Sequence, residues 1–257
     1  MTPRLAMLGG EGESTNIVAN ELRRRFGNFP LILERRMPGL ELARRRARRL
    51  GYWKVAGQVL FVVIAAHWLR LRSKSRIQEI QRLFGLDPTP VSSGVIPVSS
   101  VNSEECIRLL QACNPELVVV NGTRILSRRV LASTGARFLN MHAGIAPAFR
   151  GCHGAYWARA TGRPELAGTT IHWVDEGIDT GGVVKQALIQ FGVRDNFATY
   201  PYLQMAVGLP LLSQTVAEFF EGNVTTSAVS GHEAAGSHLY HHPTLWSYAI
   251  GRLRGVK

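Results

Sequence analysis

Residues 115–122 read PELVVVNG, in which four apolar residues stand between an acid and an Asn-Gly pair. Three of the four are valines, and an uninterrupted apolar run of this length predicts a strand that is buried on both faces. Strands of this kind belong to parallel sheets that are covered by helices. A second strand, FLNMH at 138–142, follows after a short helical stretch, SRRVLAS. The two strands together predict an α/β fold.

The rest of the chain continues this alternation of strands and helices. The apolar patterns predict strands at 4–10, 30–34, 95–100, 168–175 and 181–191, and helices at 16–26, 39–85, 102–113 and 198–222. We expect the last helix to be interrupted near Pro210. This order predicts a three-layer, Rossmann-like and mostly parallel sheet with helices on both faces. It also predicts one domain over 1–222, with a basic and apolar helical insertion at about 39–85 and a polar C-terminal extension at 223–257.

Composition narrows the class of protein. The 257 residues are 46% apolar and 19% charged, which is enough for one sizeable core and excludes a wholly disordered chain. Cys106, Cys113 and Cys152 are too few and too scattered for a disulfide framework or a metal motif. The first eight residues lack the basic start and apolar stretch of a signal peptide. We therefore expect a cytoplasmic protein.

The net charge of +12 comes from one segment. Residues 21–76 hold 15 Lys and Arg against 3 Asp and Glu, and the remainder of the chain is neutral. Such a segment attracts polyanions, although a solvated helix face has the same composition. Within it, the apolar run 55–69 would rise roughly 22 Å as a helix, too short to span a bilayer. Core helix, membrane-surface helix and partner-binding helix remain open, so peripheral membrane contact through 43–76 is one expectation.

Three polar side chains point to acyl chemistry. Asn140 and His142 are two residues apart in a strand and so share a face, where amide and imidazole donors suit a carbonyl that becomes an oxyanion. The glycine-rich loop 174–182, VDEGIDTGG, brings a carboxylate, Asp179. A carboxylate near His142 would raise the pKa of the imidazole and could accept a proton from an amine. Because ligands bind beyond the carboxyl ends of parallel strands, we expect these groups to meet there.

These residues resemble the folate-dependent formyltransferase family over 115–186. The family combines Asn-x-His at a strand end, a following Pro and often Arg-Gly, and a later Asp-x-Gly loop. The matching positions here are Asn140 to His142, Pro147, Arg150-Gly151 and Asp179 to Gly181, and NGTRILSRRVL at 121–131 resembles the family's pterin-binding stretch. The chain departs from the family in reading AGIAP, where Ser-Leu-Leu-Pro is common after the His, so the substrate pocket is expected to differ in shape.

The resemblance implies formyl transfer from N10-formyltetrahydrofolate to a primary amine, with the catalytic domain at 1–222. It implies that Asn140 and protonated His142 stabilise the oxyanion and that Asp179 keeps His142 charged and helps to remove the amine proton. The candidate folate-binding residues are Arg124, Ile125, Leu126, Val174, Asp175 and Glu176. The candidate residues for the amine substrate are Gly10, Gly12, Arg150, Gly151 and His153.

The sequence does not identify the amine that would accept the formyl group. About 35 residues follow the last helix, too few for the additional domain of the methionyl-tRNA enzymes, so we expect no nucleic-acid substrate. A nucleotide-linked amino sugar is the leading expectation, glycinamide ribonucleotide the alternative. Two non-catalytic functions are also left open: a nucleotide-binding module, or a basic adaptor for a membrane or nucleic acid. His238, His241 and His242 lack nearby acidic or Cys partners in sequence, so no metal is expected. The oligomeric state, including a homodimer, is left open.

Overall fold

A computed structural model describes residues 3–225 and 236–256. Its strands are β1 (Leu5–Gly10), β2 (Leu31–Glu34), β3 (Val95–Val98), β4 (Leu117–Asn121), β5 (Arg137–His142), β6 (Phe149–Gly151), β7 (Gly168–Trp173), β8 (Val183–Leu188) and β9 (His238–Tyr240). Seven of them form one sheet in the order β3-β2-β1-β4-β5-β7-β8, and β6 pairs with β9. The first five strands are parallel, whereas β7 and β8 are antiparallel. The predicted mostly parallel sheet is confirmed.

Helices cover both faces of the sheet, as the sequence predicted. They are α1 (Glu13–Phe26), α2 (Gly39–Leu50), α3 (Tyr52–Leu60), α4 (His67–Arg72), α5 (Lys74–Phe84), α6 (Glu104–Cys113), α7 (Arg128–Leu131), α8 (Gly154–Ala160), α9 (Tyr200–Phe220) and α10 (Leu245–Leu253). Alternate residues of each central strand enter opposite cores. Val119 joins the core under α1 and α9, while Val118 and Val120 join the one under α6. This two-sided burial explains the continuous apolar run in β4.

The predicted break in the closing helix is wrong, because α9 runs without interruption through Pro210. An internal proline removes one backbone hydrogen bond and costs about 3 kcal/mol. Burial on the sheet outweighs that cost, since Leu209, Leu212 and Val216 are almost fully buried. Gly208 lets the helix come close to β5 and β7, because a Cβ at that position would lie 2.7 Å from the Met141 sulfur.

The insertion at 39–85 is helical, but its central helix is longer than the sequence suggested. A π-helical turn, Phe61–Ala66, joins α3 to α4, so that 52–72 form one helix of 21 residues. By length and composition alone this helix could cross a membrane, and 28% of its most apolar stretch of 18 residues is buried in the protein. The helix is longer than the apolar run 55–69 because it continues through the flanking aromatic and basic residues. The expectation that this segment does not span a bilayer remains a prediction.

The C-terminal residues are more structured than a polar extension. Strand β9 pairs with β6, and α10 begins with a capping box in which Thr244 and Ser247 bond each other's backbone N–H groups. Tyr248 of α10 is buried and its ring lies 5.0 Å from that of Phe61. The end of the chain therefore joins the insertion helix to the core. The domain boundary at 223 remains a prediction.

Candidate active site

The carboxyl end of β5 carries the first two candidate side chains. Asn140 and His142 lie on one face of the strand, as the spacing predicts. Antiparallel pairing with β7 sets Asn140 opposite His172 and His142 opposite Thr170. The Asn140 Nδ2 and His172 Nε2 atoms are 3.0 Å apart. The His172 Nδ1 atom lies 2.8 Å from the Trp173 carbonyl oxygen, so both ring nitrogens have a polar partner and the ring holds the Asn140 amide in place.

The later loop brings Asp179 to the same place. Its Oδ2 lies 3.3 Å from His142 Nδ1 and accepts the Gly151 backbone N–H at 2.9 Å. Its Oδ1 lies 3.5 Å from His172 Nε2. Asp179 adopts a positive φ of 52°, a conformation that Asp tolerates better than most residues. Asn140, His142 and Asp179, although far apart in sequence, therefore surround one point together with His172.

The electrostatics of His142 differ from the sequence expectation. The ring is almost fully buried, and burial lowers its pKa below the ordinary value even though Asp179 acts in the opposite direction. The expected rise in the pKa of His142 is therefore wrong, because desolvation outweighs the carboxylate. The contacts show where a proton would be held. Nε2–H donates to the Phe149 carbonyl at 2.7 Å, and Nδ1 faces the Asp179 carboxylate. A proton between Nδ1 and Asp179 is thus bound less tightly than on a free imidazole.

Asp179 is held in its ionised form. Burial by itself favours the neutral acid, but His172, His142 and the Gly151 N–H together keep the pKa of Asp179 below its usual value. A buried carboxylate that is ionised near neutral pH can accept a proton from a substrate amine. The site therefore combines an acceptor of protons, Asp179, with an oriented amide donor, Asn140.

Sequence reasoning missed His172. Its signal was present in GTTIHWVD, because the alternation in a strand sets Thr170 and His172 on one face. The missing information was the pairing register, since only the alignment of β5 with β7 shows that His172 meets Asn140.

The predicted folate-binding residues mostly line one cleft of about 470 Å³ next to these side chains. Arg124, Ile125, Leu126, Val174 and Asp175 line it together with Asn140, His142, His172 and Asp179. Glu176 lies outside the lining, because its carboxylate is exposed and pairs with Arg128 at 2.6 Å. A role for Glu176 in folate binding remains a prediction.

A buried acid at the end of β2 holds the loop that the sequence associates with the pterin. Glu34 accepts the backbone N–H groups of Val101 at 2.8 Å and Arg124 at 3.0 Å. It also pairs with the Arg124 guanidinium at 2.6 Å. Sequence reasoning missed this role, although an acid that ends an apolar strand was its visible signal.

Since the resemblance places the pterin at this loop, we expect the Glu34→Gln variant to bind N10-formyltetrahydrofolate about tenfold more weakly, because the amide loses the ion pair and one charge-assisted hydrogen bond to the loop. The KM for the donor, measured with a saturating acceptor, tests this. Glu116→Gln is the matched control, since it removes an exposed ion pair with Arg4 at the opposite end of β4. Equal donor KM values for both variants and the native chain would rule the loop role out.

The candidates for the amine substrate fall into two groups. Gly151 and His153 line the first cleft, whereas Gly10 and Gly12 line an adjoining cleft of about 350 Å³. The two clefts share Ser14, Gly122, Pro201 and Met205. Arg150 lines neither cleft, because it turns back and donates to the Ile178 carbonyl at 3.2 Å. That contact tethers the loop of Asp179. Substrate binding by Arg150 remains a prediction.

A histidine pair stands beside the first cleft. The His153 Nε2 and His242 Nδ1 atoms are 2.9 Å apart, and the ligand atoms of Cys152, His153 and His242 lie within 4.8 Å of one another. The statement that the C-terminal histidines lack a Cys partner is therefore wrong for His242, because β9 pairs with β6. The nearby Arg46 cation opposes a bound cation as it opposes protonation of both rings. The absence of a metal remains a prediction.

The same pair predicts sensitivity to acid. Burial lowers the pKa of His153 to about 3 and that of His242 to about 4. Below the unfolded value of about 6.5 the unfolded chain binds protons that the folded chain does not, so stability falls as the pH drops. Both side chains keep some exposed surface, so we expect a loss of about 2 kcal/mol for the pair between pH 7.5 and 5.0.

Urea unfolding at the two pH values measures this effect. The control is the double variant His153→Asn, His242→Gln, in which Asn suits the positive φ of 62° at position 153. Its stability should depend less on pH over this range, and an unchanged dependence would show that other groups cause the acid sensitivity.

Comparison with known proteins gives consistent results. A family profile described as formyl transferase matches residues 54–200, more than half of the chain. The chain is 30% identical over 132 residues to methionyl-tRNA formyltransferase of Thermodesulfovibrio yellowstonii, a match that covers 51% of this chain and 42% of that relative. It is 33% identical over 94 residues to phosphoribosylglycinamide formyltransferase of Bacillus subtilis, which covers 36% of this chain and 48% of that relative. Each match thus spans less than half the length of the relative concerned.

Solved structures share the fold. A sugar N-formyltransferase from Shewanella superposes with a TM-score of 0.55 at 16% identity, over 97% of this chain and 87% of that one. Glycinamide ribonucleotide transformylase 1 from Symbiobacterium toebii also gives a TM-score of 0.55, at 20% identity over 87% of this chain and 91% of that one. At these identities the likeness concerns architecture, and the acceptor has to be argued from the site.

Proposed function

Because the chain belongs to the formyl transferase family, we propose that it transfers a formyl group from N10-formyltetrahydrofolate to the primary amine of a nucleotide-linked amino sugar. The observation that carries this proposal is the meeting of Asn140, His142 and Asp179 around one point of the first cleft. A non-catalytic nucleotide-binding module has no use for a buried imidazole paired with an ionised carboxylate. A basic adaptor for a membrane or nucleic acid has no use for such a pair either.

Each side chain has a distinct task in this reaction. The amine attacks the formyl carbon, and the Asn140 amide donates to the oxyanion that forms. Asp179 accepts the proton of the attacking amine, directly or through a water molecule. His142 Nδ1, 3.3 Å from the carboxylate, can take up this proton from Asp179, and the charged ring then stabilises the oxyanion. Collapse of the adduct breaks the bond between the formyl carbon and N10 and releases tetrahydrofolate after N10 takes up a proton.

The donor would occupy the wall of the first cleft that is made by 124–126 and 174–175. Leu126 is buried and Ile125 is half exposed, whereas the Arg124 guanidinium is paired with Glu34 and the Asp175 carboxylate accepts bonds within its own loop. This wall therefore offers mainly backbone and apolar surface. Such a surface suits a flat heterocycle whose edge carries both hydrogen-bond donors and acceptors. No metal takes part in this scheme.

The adjoining cleft favours a phosphorylated acceptor. Gly12 precedes α1, which has no side-chain cap among the described residues. Gly12 and the first residues of α1 line the cleft together with Arg36 and Arg70. Helix N-termini and guanidinium groups both bind phosphate. Glu11 and Glu13 oppose this, but Glu13 is paired with Arg70. The same features support glycinamide ribonucleotide, which carries one phosphate, as the second candidate acceptor.

The test is incubation of the full chain with N10-formyltetrahydrofolate and a panel of amines. The panel contains glycinamide ribonucleotide and nucleotide-linked 3-amino and 4-amino sugars, and mass spectrometry detects the addition of one formyl group. We expect a nucleotide-linked sugar to be formylated. Formylation of glycinamide ribonucleotide alone would overturn the acceptor, and no donor consumption with any amine would overturn the function. The cytoplasmic location stays a prediction.

A further inference from the structure

The long helix 52–72 faces solvent with its apolar side. It packs onto the protein through Val55, Gln58, Phe61 and Leu69. Its exposed side, which we call the apolar ridge, consists of Tyr52, Trp53, Val59, Leu60, Val62, Val63, Ile64, Trp68 and Leu71. The helix thus buries a glutamine while it exposes three successive aliphatic residues at its centre. A helix whose exposed side is more apolar than its buried side indicates a further contact surface.

Basic residues surround the apolar ridge. Between 39 and 74 the chain has nine Lys and Arg against one acid, Glu41. The exposed members, which we call the basic rim, are Arg44, Arg45, Arg48, Arg49, Lys54, Arg70, Arg72 and Lys74. Two of them are ion-paired, Arg45 with Glu41 and Arg70 with Glu13. The Arg72 guanidinium stacks 4.7 Å from the Trp68 ring, so cation and aromatic group stand together at one end of the helix.

We propose that the apolar ridge and the basic rim dock the protein on an anionic bilayer surface, with the helix lying in the plane of the headgroups. The apolar side chains would enter the boundary between headgroups and acyl chains, and the rim would contact acidic headgroups. Trp53 and Trp68, near the two ends of the ridge, suit that boundary because indole combines an apolar ring with a polar N–H. This inference stands independently of the proposed reaction.

The packed side of the helix argues against a full span. The Gln58 amide donates to the His242 carbonyl at 2.9 Å. Phe61 is fully buried, and its ring centre lies 4.8 Å from that of Phe197. Gly57 leaves space for the Trp246 ring, since a Cβ there would lie 2.6 Å from its Cζ3 atom. A spanning helix would have to abandon these contacts and bury a glutamine in hydrocarbon.

Charge favours an anionic bilayer over a second copy or a nucleic acid as the partner of this surface. A second copy docked through the same ridge would bring two basic rims together, and like charges that face each other are repelled. A nucleic acid would match the rim, but its phosphates would leave the aliphatic residues uncovered. An anionic bilayer satisfies both the ridge and the rim.

Docking would also place the acceptor site near the surface. Ala66 and the rim residue Arg70, both in the same helix, line the adjoining cleft. That cleft shares four residues with the one that holds Asn140 and Asp179. A helix on the bilayer would therefore form one wall of the route to the active site.

Co-sedimentation of the full chain with vesicles tests the proposal. We expect binding to phosphatidylcholine vesicles that contain about 30% phosphatidylglycerol, weaker binding to phosphatidylcholine alone, and loss of the difference in high salt. Val63→Glu places a charge in the ridge and should weaken binding at least tenfold. The triple variant Arg44→Gln, Arg48→Gln, Arg49→Gln should weaken it about 100-fold. Leu188→Glu, a similarly exposed apolar position on the edge strand β8, is the control and should bind as the native chain does.

Circular dichroism and thermal unfolding show whether each variant is folded, which we expect because the substituted side chains are exposed. The proposal is overturned if the native chain does not bind anionic vesicles, or if Val63→Glu and the triple variant both bind as Leu188→Glu does. It is also overturned if the native chain is a dimer without vesicle affinity and Val63→Glu converts it to a monomer. That last result would assign the ridge to a second copy.

Discussion

Replacing Asp179 by Asn is expected to lower the turnover number by about 10²–10⁴-fold while the protein stays folded. The amide has the shape of the carboxylate but cannot accept the proton of the attacking amine. It also cannot balance a proton on His142 Nδ1, which lies 3.3 Å away. Both losses fall on the transition state rather than on substrate binding, so kcat should fall far more than KM rises.

Asp87→Asn is the matched control for this variant. Asp87 is exposed and lines neither cleft, and its carboxylate accepts the Thr89 N–H at 2.9 Å. Steady-state kinetics with the identified acceptor should show a small effect there and a large one at Asp179. Native-like turnover of a folded Asp179→Asn protein would remove this residue from the mechanism.

The second large effect is expected from Gly144→Ala, although this glycine carries no functional group. A Cβ at position 144 would collide with the Phe149 carbonyl oxygen and lie 2.5 Å from His142 Nε2. The hydrogen bond between these two atoms would have to break, and the ring would move away from Asp179. A displacement of about 1 Å in an oriented site lowers the rate by about 100-fold.

Gly135→Ala is the control for that substitution, because nothing lies within 4 Å of the added methyl group. Thermal unfolding and kcat should be measured on both variants. We expect Gly135→Ala to match the native chain in both quantities, and Gly144→Ala to lose turnover even at temperatures where it is fully folded. A folded Gly144→Ala protein with native kcat would mean that the position of the His142 ring is not important for the reaction.

Local patterns predicted much of the fold and part of the site. The valine run of β4 and the helix predicted at 102–113, which begins where Ser103 accepts the Cys106 N–H, depend on near neighbours in sequence. The common face of Asn140 and His142 follows from the period of a strand. The resemblance to formyltransferases, drawn from Asn140, His142 and the Asp179 loop, is confirmed by the family match.

The features that were wrong or missed depend on contacts between distant segments. His172 becomes part of the site only through the register of β5 against β7. Helix α9 continues through Pro210 because burial against the sheet outweighs the cost of the proline. Helix propensity does not include this tertiary contribution. The pKa of His142 falls because the fold encloses the ring, and no sequence pattern reports that enclosure.

A crystal structure with a stable N10-formyl folate analogue tests the central claim most directly. We predict that the formyl oxygen lies within about 3.5 Å of Asn140 Nδ2, that the formyl carbon faces Asp179, and that the pterin ring rests between Leu126 and Val174. An analogue bound elsewhere, or one whose formyl group points away from Asn140 and Asp179, would contradict the assignment of this site to formyl transfer.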